Sequence, residues 1–262
     1  MGAHELLRDH LLGLGRVGIA VSGGVDSLTL AAFAWSLRGR GLDVTLFHAS
    51  SAAVPADAAA RVRDIAAERG WALVVVDAGE LGDARYTSNP VDRCYFCKSH
   101  LFDAVAAAFD GPLCTGANLD DVDDVRPGRL AAAERGVQEP FVVAGMDKTA
   151  VRALARELGL GGVSELPASP CLSSRVETGI AIDASLLRLV DDVERTAREL
   201  LAPGSALRCR VRAAGIVIEH DGVVDEDAVL ARVLPLVGDR AVSFAPYRRG
   251  SAFLRGALPV LP

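Results

Sequence analysis

The sequence has no apolar run long enough to cross a membrane, since its longest such run is interrupted by Asp26. It also lacks an excess of positive charge, because its net charge is −6, which argues against a general polyanion-binding surface. The first residues mix acids and histidines into an apolar pattern, as an amphipathic helix does and a signal peptide does not. These absences predict a cytoplasmic protein with neither a membrane nor a nucleic acid as partner.

The sequence has few cysteines, and their odd number, five in 262 residues, does not suit a disulfide framework. A reducing compartment fits better, and there a close cysteine pair suggests metal or redox chemistry. Hydrophobic residues make up 50% of the chain and charged residues 24%, which are globular proportions. The length allows one large domain or two modest ones.

A short apolar, β-branched run beginning at Val17 breaks into a glycine turn and then continues as an apolar helical pattern. The turn consists of Ser22, Gly23, Gly24, Val25, Asp26 and Ser27. Backbone N–H groups at a helix start are unpaired and lie at the positive end of the helix dipole, so they suit a phosphate-sized anion. The two glycines allow close approach, the two serines add hydroxyl donors, and Asp26 can hold a metal ion or a water molecule.

A bare Ser-Gly-Gly is also compatible with an ordinary strand–turn–helix connection. The turn lacks the Gly-Lys-Ser/Thr of a Walker loop and the G-x-G-x-x-G of a dinucleotide site. The full string SGGVDS after a buried strand resembles the PP-loop of the ATP pyrophosphatases. This resemblance implies ATP and Mg²⁺ as ligands and pyrophosphate as a product.

Strands and helices alternate through the first half of the sequence, which predicts an α/β fold with a doubly wound parallel sheet. The predicted strands are Val17–Val21, Leu42–His48, Leu73–Val76 and Pro112–Thr115. We place a PP-loop ATP pyrophosphatase domain at 1–180. A small α+β domain with an antiparallel sheet, for substrate binding or oligomerisation, follows at 181–262.

Ligands of such a sheet lie beyond the carboxyl ends of its strands. By resemblance to the PP-loop family, Ala49 and Ser50 lie against adenine and Gly116 lies near the nucleotide. Between Asn118 and Gly128 the chain is densely charged, which alone is typical of a solvated loop. At a strand end, however, its carboxylates and its arginine suit Mg²⁺, triphosphate or an anionic substrate. The candidates are Asp121, Asp124 and Arg126, while Lys148 at the start of a later helix carries little weight alone.

Cys94 and Cys97 form a C-x-x-C motif, and Cys171 lies in a loop rich in proline and serine, where a cysteine has little packing role. Three cysteines can ligate a 4Fe–4S cluster and leave one iron open. The alternative is Zn²⁺ at the same cysteines, with His100 completing a Cys₃His set. Buried packing of the pair is a third possibility. Cys114 and Cys209 lie in strand-like runs and are predicted to be core residues.

Four segments, at their order and spacing, resemble the LarE family of PP-loop enzymes: SGGVDS, RCYFCK, TGANLDDVDDVRPG and CLSSR. The resemblance extends from about Gly18 to Gly256 and implies sulfur insertion during synthesis of the nickel-pincer nucleotide. In that family ATP adenylates a carboxylate of pyridinium-3,5-biscarboxylic acid mononucleotide, and a sulfur nucleophile displaces AMP to give a thiocarboxylate. Some members sacrifice a single cysteine at the CLSSR position.

Other members of the family carry three cysteines that bind a 4Fe–4S cluster with an extra sulfide, and this chain resembles them. The catalytic residues implied are Cys171 and Asp26. The resemblance also implies a homo-oligomer that works with upstream and downstream enzymes of pincer-nucleotide synthesis. After CLSSR the family has an Ile/Phe-Pro-Tyr-Gly turn, whereas this chain has Val176-Glu177-Thr178-Gly179, so the local geometry is expected to differ.

Three arginines, at 208, 210 and 212, alternate onto one face of the predicted strand Leu207–Arg212, where solvated edge charges are the ordinary interpretation. By resemblance to the LarE family, Arg210 and Arg212 bind the phosphate of the substrate. A guanidinium group suits phosphate oxygens. The same resemblance marks Glu219 as a second-domain carboxylate and the segment from Tyr247 to Ser251 as a closing motif.

Three other functions remain open on the residues alone. They are a PP-loop tRNA thiolase, an amidating synthetase that needs no active-site cysteine, and a zinc-stabilised nucleotide-binding protein. The acidic net charge argues against the first. Loss of sulfur transfer on changing Cys171 would separate sulfur insertion from the other two.

Overall fold

The computed structural model describes residues 2–122, 127–202 and 204–248. The chain forms two compact units: Met1–Glu80 with Cys94–Ser169, and Leu81–Arg93 with Pro170–Pro262. The second unit therefore starts before residue 181 and includes a segment that the predicted division assigns to the first domain. No helix in these described ranges is long and apolar enough to span a bilayer.

The first unit contains a parallel sheet with the strand order β3-β2-β1-β4, which confirms the predicted doubly wound α/β fold. Its strands are β1 (Arg16–Ala20), β2 (Asp43–Ser50), β3 (Leu73–Asp77) and β4 (Leu113–Cys114). The inner strand β1 is buried at Val17 and Ile19, as its continuous apolar sequence requires. Chain order reverses at β1, because β2 and β4 lie on its two sides.

Helices cover the sheet of the first unit and supply most of the core. They are α1 (Ala3–Leu14), α2 (Val25–Ser36), α3 (Ala56–Glu68), α5 (Arg93–Ala108), α6 (Pro127–Glu134), α7 (Pro140–Val143) and α8 (Lys148–Glu157). The apolar residues of α2 are buried on nearly all sides, since this helix packs between the sheet and α8.

Helix α5 extends from Arg93 to Ala108, and its two ends differ in residue pattern. Leu101, Phe102, Val105 and Phe109 have helical spacing and are buried, so the later turns are readable from the sequence. The first two turns carry cysteines and polar residues and lack that spacing. The cysteine pair therefore lies on a helix.

The second unit is a small α+β structure. Its elements are α4 (Ala84–Thr87), α9 (Ala184–Arg198), α10 (Glu226–Val237), β5 (Leu207–Arg212), β6 (Gly215–His220) and β7 (Val242–Pro246). Strands β5 and β6 are antiparallel, but β6 and β7 are parallel, so the prediction of an antiparallel sheet is wrong for β7. The reason is the connection: α10 returns the chain before β7, and a crossover of this kind joins parallel strands.

Gly116 brings the loop after β4 against the start of α2. A Cβ atom there would lie 2.7 Å from both the Asp26 carbonyl carbon and the Ser27 nitrogen. We predict that Gly116→Ala lowers the free energy of unfolding by about 1–3 kcal/mol, the usual cost of overpacking, and weakens nucleotide binding. Urea unfolding and calorimetric titration with ATP would measure both.

Gly162→Ala is the matched control, because a Cβ atom at Gly162 meets no atom within 4 Å. Equal losses in the two variants would contradict the steric argument.

Candidate functional site

The glycine turn between β1 and α2 is held by its two serine hydroxyls. The Ser22 N–H donates to Ser27 Oγ at 3.1 Å, and the two hydroxyl oxygens lie 3.2 Å apart. Ser27 Oγ in turn donates to the Gly24 carbonyl at 3.2 Å. The serines that the sequence marks as anion donors thus also shape the loop, whose helix start suits an anion.

Helix α3 closes the turn from one side. Gly23 has a φ of 83°, and a Cβ atom there would lie 2.6 Å from the Ala58 carbonyl oxygen. Arg61 of the same helix donates from Nη1 to the Gly23 carbonyl at 2.9 Å. A glycine is therefore required at this position both for its backbone conformation and for space.

Asp26, in the first turn of α2, contacts two side chains of the first unit. Its Oδ2 forms an ion pair with Lys148 Nζ, and its Oδ1 accepts from Asn118 Nδ2 at 3.3 Å. Asn118 is almost fully buried, and its own Oδ1 accepts from the Asp120 N–H at 3.1 Å. Sequence reasoning gave Lys148 little weight and did not single out Asn118.

Ala49 and Ser50 are the last two residues of β2, not a turn after it, and they pair with Val76 and Asp77 of β3. Ser50 is exposed and Ala49 half-buried. The next residue, Ser51, hydrogen-bonds to the buried carboxylate of Glu80. The carboxyl ends of β1, β2 and β4 thus lie at one edge of the sheet, as predicted for a nucleotide crevice.

Of the three candidates in the acidic loop, only Asp121 lies within the described residues; Asp124 and Arg126 fall outside them. The Asp121 carboxylate accepts from the Asn118 N–H at 3.2 Å and so caps a short 3₁₀ turn. Arg129 donates to the Asp121 carbonyl at 3.3 Å. These contacts give Asp121 a structural role in this turn.

Cys94 and Cys97 are half-buried and lie three residues apart in the first two turns of α5. Residues with this spacing share a helix face. Gly128 of α6 packs close to them, since a Cβ atom there would lie 3.1 Å from Lys98 Cγ and 3.9 Å from Cys94 Cβ. The pair therefore has the donor chemistry of an iron or zinc site.

Within each unit, the described residues contain no group of three His, Cys, Asp or Glu side chains placed to hold a metal ion. This includes Cys94, Cys97 and His100 on α5. Cys171 lies in the second unit.

Cys171 is half-buried and immediately precedes a 3₁₀ turn, Leu172–Arg175. The Arg175 guanidinium donates to the carbonyls of Pro170 at 2.6 Å and Cys171 at 3.1 Å, while Glu194 of α9 accepts from it at 2.8 and 3.1 Å. Burial by itself would lower the pKa of Arg175, but the hydrogen bonds to Glu194 outweigh burial, and the pKa of Arg175 is raised. The charged Arg175 side chain therefore holds the backbone carbonyls of both Pro170 and Cys171 in place.

Two of the three arginines of β5 are buried, so their interpretation as solvated edge charges is wrong. Arg208 and Arg210 are more than nine-tenths buried, and burial lowers the pKa of Arg208. Arg210 donates to Glu219 at 2.9 Å and to the Ser174 carbonyl at 3.0 Å. Arg212 lies 3.7 Å from Glu219 with a quarter of its side chain exposed.

The segment that replaces the usual turn after the Cys171 loop is anchored inside the second unit. Val176 is fully buried and bridges to Val211 of β5. Asn89, also fully buried and at a φ of 56°, donates to the carbonyls of Glu177 at 2.9 Å and Ile180 at 3.0 Å. Sequence reasoning missed Asn89, although Asn-Pro marks a turn and asparagine adopts a positive φ more readily than most residues.

Cys114 and Cys209 are buried, as predicted. Burial raises the pKa of the Cys114 thiol to about 12 and also raises that of Cys209. Neither thiol is ionised at neutral pH, and both are packing residues.

No family model matches the sequence. It is 37% identical over 204 residues to an uncharacterised protein of Synechocystis, covering 75% of this chain and 74% of that one. It is 31% identical over 199 residues to the pyridinium-3,5-bisthiocarboxylic acid mononucleotide synthase of Lactiplantibacillus plantarum, covering 74% of this chain and 71% of that enzyme. An uncharacterised protein of Methanocaldococcus jannaschii is 27% identical over about half of each chain.

We predict that Glu194→Ala lowers the free energy of unfolding by about 3–5 kcal/mol, because it leaves the buried Arg175 charge without its carboxylate. Glu199→Ala, at the end of the same helix, removes an exposed pair with Arg232 and is expected to cost less than about 1 kcal/mol. Urea unfolding compares the two variants. Equal costs would contradict the role assigned to the buried pair, and Glu194→Gln serves if the alanine variant does not fold.

The five thiols are predicted to differ in their reactivity toward a maleimide. In the native protein at neutral pH, a maleimide should label Cys94, Cys97 and Cys171, which are half-buried, and spare the two buried thiols until the protein is denatured. Peptide mass spectrometry counts the labels. Labelling of Cys114 or Cys209 as fast as Cys171 would contradict their assignment as packing residues.

Proposed function

Because the chain belongs to the LarE family of sulfur-inserting enzymes, we propose that it uses ATP to convert a carboxylate of pyridinium-3,5-biscarboxylic acid mononucleotide into a thiocarboxylate. The observation that carries the proposal is the turn from β1 to α2, at the point where the strand order of the sheet reverses. There the backbone at Gly23 and Gly24 would bind a nucleotide phosphate, with Asp26 beside it for the metal ion. The Lactiplantibacillus relative is a synthase of a bisthiocarboxylic acid mononucleotide, which suggests the substrate class.

The first step activates the carboxylate, whose own leaving group would be oxide. A substrate oxygen attacks the α-phosphorus of ATP, the bond to the bridging oxygen breaks, and pyrophosphate leaves with its electron pair. Ser22, Ser27 and the turn N–H groups would bind the phosphates, with Asp26 as the ligand for Mg²⁺. The end of β2 at Ala49 and Ser50 would lie against adenine, with Gly116 near the nucleotide.

In the second step a sulfur nucleophile attacks the acyl carbon and AMP departs, so that oxygen is replaced by sulfur. Cys94, Cys97 and Cys171 are the proposed sulfur-handling set. Thiol chemistry fits a 4Fe–4S cluster, which when bound would supply a sulfide at the iron that no cysteine ligates. Zn²⁺ at the same cysteines, or a sacrificed Cys171, are the rival arrangements.

Arg212 is proposed to bind the substrate phosphate, since about a quarter of its side chain is exposed. Arg210 is proposed for the same phosphate on family resemblance, and its bonds to Glu219 and Ser174 give it a second role in holding the Cys171 loop. Homo-oligomeric assembly, a cytoplasmic location and partner enzymes of pincer-nucleotide synthesis are proposed on the same resemblance.

The test uses protein purified without oxygen, reconstituted with iron and sulfide, and supplied with ATP, Mg²⁺ and the biscarboxylate nucleotide. Mass spectrometry should find thiocarboxylate product, with AMP and pyrophosphate formed in step. Cys171→Ser should abolish sulfur transfer, because it removes one of the three proposed thiols, and should still allow adenylation. Cys209→Ala, which changes a buried packing thiol, should retain transfer.

Adenylation without sulfur transfer in the unsubstituted protein would reject the proposed sulfur source. AMP release triggered by tRNA and not by the nucleotide would favour tRNA thiolation. Zinc binding with no pyrophosphate release from any substrate would favour the nucleotide-binding protein.

A further inference from the structure

The ion pair between Lys148 and Asp26 occupies the carboxylate that a nucleotide-bound metal ion would need. Lys148 Nζ contacts Oδ2 of Asp26, and Asn118 donates to Oδ1, so both carboxylate oxygens already have a partner. The two charged side chains are 31% and 27% exposed. A pair this sheltered is screened less than one on the surface.

Lys148 is poorly placed for the helix that carries it. It is the first residue of α8, where the helix dipole opposes a cation at a cost of about 0.3–1 kcal/mol. The neighbouring Asp147 already caps the helix by accepting from the Ala150 N–H at 2.7 Å. The favourable contact for the Lys148 charge is therefore Asp26, which lies on a different helix.

A lysine at position 148 can do what an arginine there could not. Lys98 and Lys148 are the two lysines of the sequence, and its other basic residues, histidine apart, are arginines. A guanidinium group holds a carboxylate through two parallel hydrogen bonds, whereas an ammonium group is a compact charge on a flexible stem that can change partner. Arg61 illustrates the fixed alternative on the other side of the loop, since its guanidinium is tied to the Gly23 carbonyl.

We infer that Lys148 exchanges between two partners, an inference that rests on the proposed use of ATP. Without nucleotide it neutralises Asp26 and keeps a free divalent cation off this carboxylate. When ATP arrives with Mg²⁺, the ammonium moves to the polyphosphate, where a cation is attracted more strongly, and Asp26 becomes available to the metal ion. Metal and nucleotide therefore bind together, and Lys148 is a phosphate-binding residue of the adenylation step.

The first test measures the affinity of the full chain for Mn²⁺ without nucleotide, by electron paramagnetic resonance. Lys148→Met should bind Mn²⁺ roughly tenfold more tightly than the unsubstituted protein, an ordinary size for coupling between two ligands, and should bind ATP with Mg²⁺ more weakly. Lys148→Arg restores a cation and should exclude Mn²⁺ again. Adding Asp26→Asn to Lys148→Met should remove the gain, and a methionine variant without any gain overturns the inference.

The second test keeps a positively charged lysine side chain at position 148. Reductive methylation with ¹³C labels the amines, and the lysine signal that remains in Lys98→Arg belongs to Lys148. This signal should stay in place with Mg²⁺ alone and shift with Mg²⁺ and α,β-methylene ATP. If calorimetry shows that the analogue binds while the signal does not move, the exchange is overturned and the proposed function stands. If the analogue does not bind at all, the proposed function fails, and the Mn²⁺ comparison still decides whether Lys148 guards Asp26.

Discussion

The turn from β1 into α2 is the constraint on which the first unit depends. The first N–H groups of α2 have no partner within the helix, so they must be satisfied from outside it, by a cap, by water or by a ligand. Two other segments approach this turn closely: Ala58 of α3 lies against Gly23, and Gly116 after β4 lies against Asp26. Neither glycine position has space for a side chain, so these segments pack directly against the turn.

The second unit depends on buried charge. Arg175 with Glu194, and Arg210 with Glu219, are ion pairs whose four side chains are more than nine-tenths buried. Removing such groups from water is costly, so each is compensated by further hydrogen bonds, and several of these end on the backbone around Cys171. We interpret the pairs as a device that specifies one conformation of the cysteine loop.

Helix starts organise the chemistry of the first unit. Asp26 lies in the first turn of α2, and Cys94 and Cys97 lie in the first two turns of α5. Lys148 lies at the start of α8, where the helix dipole disfavours a cation and an anion nearby is needed. Its ion pair with Asp26 links two helix starts, and any ligand that binds one of these charges alters the other.

The sequence by itself determined what depends on neighbours along the chain. The strand before Ser22, the glycine turn and the order of the cysteine segments could be read from local pattern, because period and turn chemistry act over a few residues. The start of α5, the parallel pairing of β7, the burial of Arg210 and the pairing of Lys148 with Asp26 could not be read in this way. Those features join residues as far as 122 positions apart. Only the tertiary structure decides them, because local periodicity carries no information about which distant groups will share a desolvated space.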